Sequence, residues 1–403
     1  MKITGIVAEY NPFHMGHEYQ LKKAREQSSC DCLAVVMSGN YVQRGEPAII
    51  DKFKRAEAAI YGGADIVIEL PMPFSCQNAE MFANAAISEL KKLPVNTLSF
   101  GCESTDTKLL KDIASLQLNE RFKILIKEEI KKGCSYPKSL SNVINSSLGE
   151  QAFIAASSPN NVLAIEYIKS IKRQNLNWDI VPVKRMGKNH NDTSSTGYYD
   201  SATAIRKVIL NSCTNNIDSV PVKSMEMLYK FYNEQNDFNS LNNYFELLRY
   251  KIIELGLDGL NSIYEVNEGL NNKIYANVFK HNSIDDFIMS LKSKRYTYSK
   301  LRRMLLNILL GNSYNDIKYF MSTNCNYIKV LAFNDTGRQI IKKIKDNDIA
   351  VINRYSDYKK YNLNAEDLPL FKLTNKTTNM YYIPLKDKKL NQEYLSNSIY
   401  VKI

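Results

Sequence analysis

The chain has 403 residues, 44% of them apolar and 24% charged, with only 16 Gly and 11 Pro. That balance excludes a disordered or collagen-like chain and supplies core material for two domains rather than one small module. Net charge is +11 and unevenly placed: residues 1–200 hold 24 Lys/Arg against 22 Asp/Glu, and residues 201–403 hold 29 against 20. A near-neutral front and a basic back fit a catalytic part followed by a polyanion-facing part, or simply a solvated basic surface.

In chain order, Lys2 to Glu9 is a short run rich in β-branched residues and is expected to be a strand. His14 to Gln27 reads as a helix, Cys32 to Met37 as a second buried strand, and Asp51 to Tyr61 as a helix stopped by Gly62 and Gly63. Asp65 to Leu70 is a third strand, closed by Pro71 and Pro73; Gln77 to Leu93 is an Ala-rich helix; Val95 to Phe100 is a fourth strand before Gly101. Alternating strand and helix signals of this kind call for a parallel sheet covered by helices on both faces. Helical patterns follow over 105–132 and 139–172, the latter broken at Ser157-Ser158-Pro159, and Asp179 to Val183 is a last sheet strand. Residues 184–200 are polar and loop-like, and a helix starts at Ser201. Beyond about 212 helical periods dominate to about 310, and 325–403 carries short strand-like pieces such as YIKVLAF and MYYIPL. The expected division is 1–212 and 213–403, with a soft boundary because no linker marks it.

No apolar run reaches the roughly eighteen residues of a membrane span, and MKITGIVAEY is a strand and not a signal peptide. The seven Cys are scattered without a C-x-x-C pair, so neither a zinc ribbon nor a disulfide framework is indicated and a reducing cytoplasm is the expected home.

Asn11-Pro12-Phe13-His14-Met15-Gly16-His17 stands between the first strand and the first helix, and holds two of the four His. Spacing i, i+3 puts both imidazoles on one face of the first turn, near solvent, beside the free N–H groups of the helix end. Gly16 lets a phosphate approach the backbone. The set can cradle a phosphate group that gains charge in a reaction; the plain alternative is two surface histidines. No carboxylate or Cys has spacing for a metal site with them. Ser201-Ala202-Thr203-Ala204-Ile205-Arg206 is a second candidate, with Ser201 equally readable as an N-cap and Arg206 less so.

The H-x-G-H and S-x-T-x-I-R elements resemble the nucleotidyltransferase superfamily. The segments VAEYNPFHMGHEYQL, VVMSGNYVQRGEPAIIDKFKRAEAAIYGGADIVIELP, SPNNVLAIEY, SATAIRK and KRYTYSKLRRMLLNILL occur in this order and together resemble the bacterial tRNA(Met) cytidine acetate ligase family, over residues 1 to about 310 and more weakly after that. The resemblance implies a Rossmann-like α/β nucleotidyltransferase domain with a parallel sheet, followed by a mostly helical, basic, tRNA-binding region. It implies ATP as substrate, Mg²⁺ on the phosphates, acetate activated as acetyl-adenylate, and acetyl transfer to the wobble cytidine of elongator tRNA(Met), giving 4-acetylcytidine. His14 and His17 would stabilise the transition state at the α-phosphate. The ATP segment falls on Val7, Ala8, Glu9, Tyr10, Asn11, Pro12, Phe13, His14, Met15, Gly16, His17, Glu18, Tyr19 and Gln20. Gly101, Asn161, Arg185, Ser201, Thr203 and Arg206 complete it. The segment Gly187 to Asp192 departs from the family's pattern, so His190 is taken as a loop residue. No protein partner and no membrane is implied.

Two further placements rest on chemistry. The loop Ser38 to Gly45, with Gly39, Gln43 and Arg44, follows the second strand and is expected to shape the acetate and cytidine pocket, unless it is an ordinary βα loop. Lys292 to Arg303 holds six basic residues and two Tyr in twelve positions; Lys294, Arg295, Arg302 and Arg303 are expected on phosphates and Tyr296 on an unpaired base. The alternatives are a small-molecule adenylyltransferase of the same superfamily and a catalytically inactive RNA-binding relative.

Overall fold

The structure is a computed structural model that describes residues 1–186, 199–212, 217–267, 269–293, 295–323, 327–345, 349–363 and 367–403. Among the described residues the strands are β1 Ile3–Ala8, β2 Cys32–Ser38, β3 Tyr41–Val42, β4 Glu46–Pro47, β5 Ile66–Leu70, β6 Thr97–Cys102, β7 Asp179–Lys184, β8 Tyr327–Phe333, β9 Ala350–Ile352 and β10 Ile399–Tyr400. The main sheet has the order β10-β8-β5-β2-β1-β6-β7, with β9 on β8, while β3 and β4 form a separate hairpin. The five strands from β5 to β7 in this order are parallel to one another.

Why the front half folds this way is visible in β2. All seven of its residues are buried, as expected for a central parallel strand with helices on both faces. Leu33, Val35 and Met37 pack into one core and Cys32, Ala34 and Val36 into the other, the two-residue period of a strand. The helix Met15–Ser28 follows β1; the helix Lys52–Tyr61 is started by Asp51, whose carboxylate accepts the Phe53 and Lys54 N–H groups at 2.9 and 3.1 Å. Both pack into the first core, with the helices Val222–Gln235, Phe245–Ser262 and Tyr298–Leu310. The helices Ala79–Lys91 and Pro159–Arg173 cover the other face.

Two expectations are corrected. Cutting the chain at 212 does not separate two bodies, because YIKVLAF enters the same sheet: β8 lies antiparallel to β5, Val67 opposite Ala332. The physical reason is the unpaired edge of β5, which a buried, mostly apolar strand from elsewhere in the chain satisfies and covers. MYYIPL is not a strand; Met380 to Tyr382 end the helix Asp367–Tyr382. Tyr381 is buried there with its hydroxyl donating to Ala48 O at 2.8 Å, so tertiary packing overrides the β propensity of its aromatics.

Candidate active site

Strand β1 ends at Ala8, Tyr10 takes a positive φ of 48°, and a cis Asn11–Pro12 bond turns the chain into the helix at Met15. His14 is the N-cap. Its Nδ1 accepts the Gly16 N–H at 3.1 Å, and the His14 N–H donates to His17 Nδ1 at 3.3 Å. This is a capping box built from two imidazoles, which satisfies helix N–H groups that otherwise lack partners. The rings stack at 3.7 Å with 27° between planes, and Tyr10 presents its ring edge-on to His17 at 4.8 Å. A side chain at Gly16 would sit 2.9 Å from His14 Cε1. Its glycine therefore makes room for the ring itself, before any phosphate arrives.

Both Nδ1 lone pairs are spent on the backbone, so each neutral ring carries its proton on Nε2. The rings are neutral: burial, then Arg185 and Arg206, push His14 down to about 3. Burial, then His14 and Arg185, hold His17 well below the ordinary histidine value. Solvent exposure was the expectation, and His14 departs from it at 4% exposed, with His17 half-buried. A pH effect follows. Unfolded imidazoles titrate near ~6.5. The folded values are lower, so this contribution to stability is whole above that pH. It is lost as pH falls toward about 3, because unfolding takes up a proton per ring. Urea midpoints should fall more steeply between about pH 7 and 4 in the native protein than in a His14→Asn, His17→Gln double variant; parallel curves would contradict the assignment.

Arginines close the other side. Ser201 Oγ accepts the Ala204 N–H at 3.2 Å at the start of the helix Ala202–Ser212. One turn on, Arg206 donates to Asn11 O at 2.8 Å and pairs with Glu46 Oε1 at 2.9 Å. Glu46 Oε2 in turn pairs with Arg302 at 2.7 Å. The loop between β2 and β4 is pinned by Gln43, whose N–H donates to Glu9 Oε1 at 2.7 Å and whose side chain donates to Gln77 O at 2.9 Å.

These groups surround a cleft of about 680 Å³. Of the expected residues, Val7, Ala8, Glu9, Tyr10, Asn11, His14, His17, Gln20, Gly101, Arg185, Ser201 and Arg206 line it, as do Gln43 and Arg44. Gly16 and Tyr19 line a narrow adjoining slot with His14, His17 and Arg185. Others fall elsewhere. Phe13 is buried against Gly62, where a Cβ would stand 2.2 Å from its ring. Met15 and Glu18 face a different groove, of about 740 Å³; neither histidine nor any arginine lines that groove, so charge favours the first as the site. Pro12 and Thr203 line neither the cleft nor the slot. Asn161 is buried, and its Oδ1 accepts the N–H groups of Glu103 and Ser104 at 3.0 and 3.2 Å. It fixes the chain after β6, while its neighbours Asn160 and Val162 reach the cleft.

Gly39 is corrected: it is buried, and a Cβ there would meet Glu69 Oε1 at 2.6 Å, so it packs against the core instead of forming a pocket. The basic segment is corrected in part. Arg295 is exposed, and Lys294 lies outside the described residues. Tyr296 and Arg303 are 9% and 8% exposed, too enclosed to meet a base or a phosphate. Arg302 is held by Glu46 and lies over the Tyr298 ring at 4.6 Å. Enclosure of the helix on all sides explains the error, since residues 301 and 303 to 310 are all buried, which no one-faced basic pattern announces. His190 lies outside the described residues. Sequence reading missed Glu46, Phe82, Phe100, Leu163, Tyr167, Thr297 and Ser299, the last six of which line the cleft. Only position at the carboxyl ends of strands signalled Phe100; the rest come from distant segments.

The HIGH Nucleotidyl Transferase family model matches residues 1–396. A protein of Clostridium perfringens named tRNA(Met) cytidine acetate ligase is 38% identical over 413 residues, covering 99% of each chain. One of the same name from Caldicellulosiruptor saccharolyticus is 37% identical, covering 100% of this chain and 99% of its own. Two crystal structures of Thermotoga maritima TmcAL, one apo and one bound with alpha-thio ATP, superpose with TM-scores of 0.92 and 0.91 at 31% and 30% identity, covering all of both chains. A family model spanning nearly the whole chain, and full-length relatives of one name, leave one conclusion: this chain belongs to the HIGH nucleotidyl transferase family, among the tRNA(Met) cytidine acetate ligases.

Proposed function

We propose that the chain activates acetate with ATP and transfers the acetyl group to the exocyclic amine of the wobble cytidine of elongator tRNA(Met). The observation that supports this most is the pair of stacked, neutral imidazoles that line one cleft together with Arg185 and Arg206. Acetate attacks the α-phosphorus of ATP and pyrophosphate leaves. His14 and His17 donate hydrogen bonds to the phosphoryl oxygens as charge builds there, preorganised and costing no rearrangement. Arg206, one turn into the helix Ala202–Ser212, serves the departing phosphates together with that helix's N-terminus. Phe82, Phe100, Leu163 and Tyr167 give the cleft an apolar wall suited to adenine. Gln43 and Arg44 border the acetate side.

Mg²⁺ fits this cleft poorly as a protein-held ion. Among the described residues no group of three His, Cys, Asp or Glu is placed to hold a metal, and the lining contributes a single carboxylate, Glu9. A cation arriving with ATP would be held by the phosphates, and no step here is routed through it. Thr297 and Ser299 line the cleft at the start of the helix Tyr298–Leu310, so a tRNA loop reaching the site passes the exposed Lys292 and Arg295. No helix among the described residues is long and apolar enough to cross a membrane, and we place the protein in the cytoplasm with its tRNA.

The test is to incubate the protein with ATP, labelled acetate and deproteinised tRNA, and then digest to nucleosides. Label in 4-acetylcytidine is the expected result. ATP turnover onto a small acceptor, or tRNA binding without turnover, would replace this reading with an adenylyltransferase or an inactive RNA-binding relative.

A further inference from the structure

The second half of the reaction needs a base, and the first does not. Acetate enters as a carboxylate, so no proton moves when it displaces pyrophosphate. When the cytidine amine attacks the acetyl carbon, a C–N bond forms and the C–O bond to AMP breaks. The nitrogen must also shed one proton to become an amide. Resting on the functional reading above, we propose that Glu9 is the catalytic residue that takes that proton, on Oε2, and passes it to solvent after AMP leaves.

His14 and His17 have no lone pair to offer, because Nδ1 of each accepts a backbone N–H and Nε2 carries the proton. The arginines of the cleft stay protonated. Burial raises the phenols of Tyr10 and Tyr167, which remain un-ionised. Glu46 has one oxygen on Arg206 and the other on Arg302. Asp200 lines the adjoining slot and not the cleft. Glu9 is the one carboxylate among the described residues lining the cleft. Its Oε1 is anchored by the Gln43 N–H at 2.7 Å, and no hydrogen bond reaches Oε2 among the described residues. The anchor comes from the loop expected at the acetate side, so the carboxylate is fixed at that end of the cleft.

The surroundings set its strength. Burial is the largest influence and raises the carboxyl. The Gln43 N–H, Arg44 and Arg206 lower it, and Glu46 raises it. Arg55 also faces it, donating to Glu9 O at 2.5 Å, while Tyr167 and Cys76 stand nearby as neutral groups. The outcome is a carboxyl above the ordinary glutamate value, which makes it a better base.

Glu9→Gln keeps an acceptor for the Gln43 N–H and removes the base. Two rates are read on the same preparation: acetate-dependent ATP–pyrophosphate exchange, and single-turnover acetyl transfer to tRNA from enzyme preloaded with acetyl-adenylate. The expected result is a fall of at least ~100-fold in the ratio of transfer to exchange, within the range for general bases. In the native protein transfer rises with pH to a plateau; Glu9→Asp keeps that rising limb at reduced rate, and Glu9→Gln loses it. Equal loss of exchange and transfer would overturn the proposal by placing Glu9 on the ATP side, and so would unchanged transfer. If the native protein itself shows no acetate-dependent exchange, the functional reading fails, which the variant is not needed to reveal.

Discussion

Replacing His14 or His17 with Ala is expected to slow acetate-dependent ATP–pyrophosphate exchange by roughly 10²–10³-fold each, the cost of one lost preorganised donor. Both rings are neutral and fixed by their Nδ1 contacts, so what each supplies is an aimed Nε2–H and not a positive charge. The same contacts make them structural, and alanine at His14 also removes a helix cap, worth about 0.5–2 kcal/mol. His14→Asn separates the two roles. Asn is a good N-cap, so thermal stability should stay near native while exchange falls as far as in the alanine variant. At His17, Gln retains a group able to accept the His14 N–H but misplaces the donor. Near-native exchange in His14→Asn and His17→Gln together would show that the imidazoles only cap the helix.

The largest effect on stability is expected at Glu393, which does not line the cleft. Its carboxylate is fully buried between Lys52 and Lys329, with Thr378 Oγ1 donating at 2.6 Å. Lys52 is itself 0% exposed and reaches Glu69 at 2.7 Å. Burial alone would raise the Glu393 carboxyl, but the Lys329 and Lys52 ammoniums outweigh it and hold it at about 2. Removing one member of such a group leaves a buried charge uncompensated, which costs about 3–5 kcal/mol. Glu393→Ala should therefore lose that much in urea unfolding at neutral pH. The sign in pH is the carboxylate one: a folded value below the unfolded ~4.3 gives stability present above that pH and lost as pH falls toward about 2. The variant should lack this acid limb. A loss under about 1 kcal/mol would mean that the two lysines find other partners.

The residues of this cluster show where sequence reading stops. Lys52 follows a helix cap, Glu69 sits in an apolar strand, and Glu393 lies in a polar tail; no spacing links them, because 341 positions separate Lys52 from Glu393. Arg302 and Arg303 are the same case at the site. Both look like phosphate ligands in KRYTYSKLRR, yet one pairs with Glu46 of the β3–β4 hairpin and the other is buried beside Glu265.

What the sequence determined by itself is local. Short continuous apolar runs bounded by Gly and Pro set β1, β2, β5 and β6. Capping residues such as Asp51 set helix starts, and H-x-G-H after the first strand placed the histidines at a helix N-terminus. These follow from interactions between near neighbours, which a linear string records. Tertiary packing alone makes β8 close the edge of β5, has His14 and His17 lend Nδ1 to the backbone and keep Nε2–H, and leaves Glu9 as the one carboxylate among the described residues lining the cleft. Each of these depends on which distant group takes up a lone pair, a proton or an open strand edge, and that is settled by packing in three dimensions.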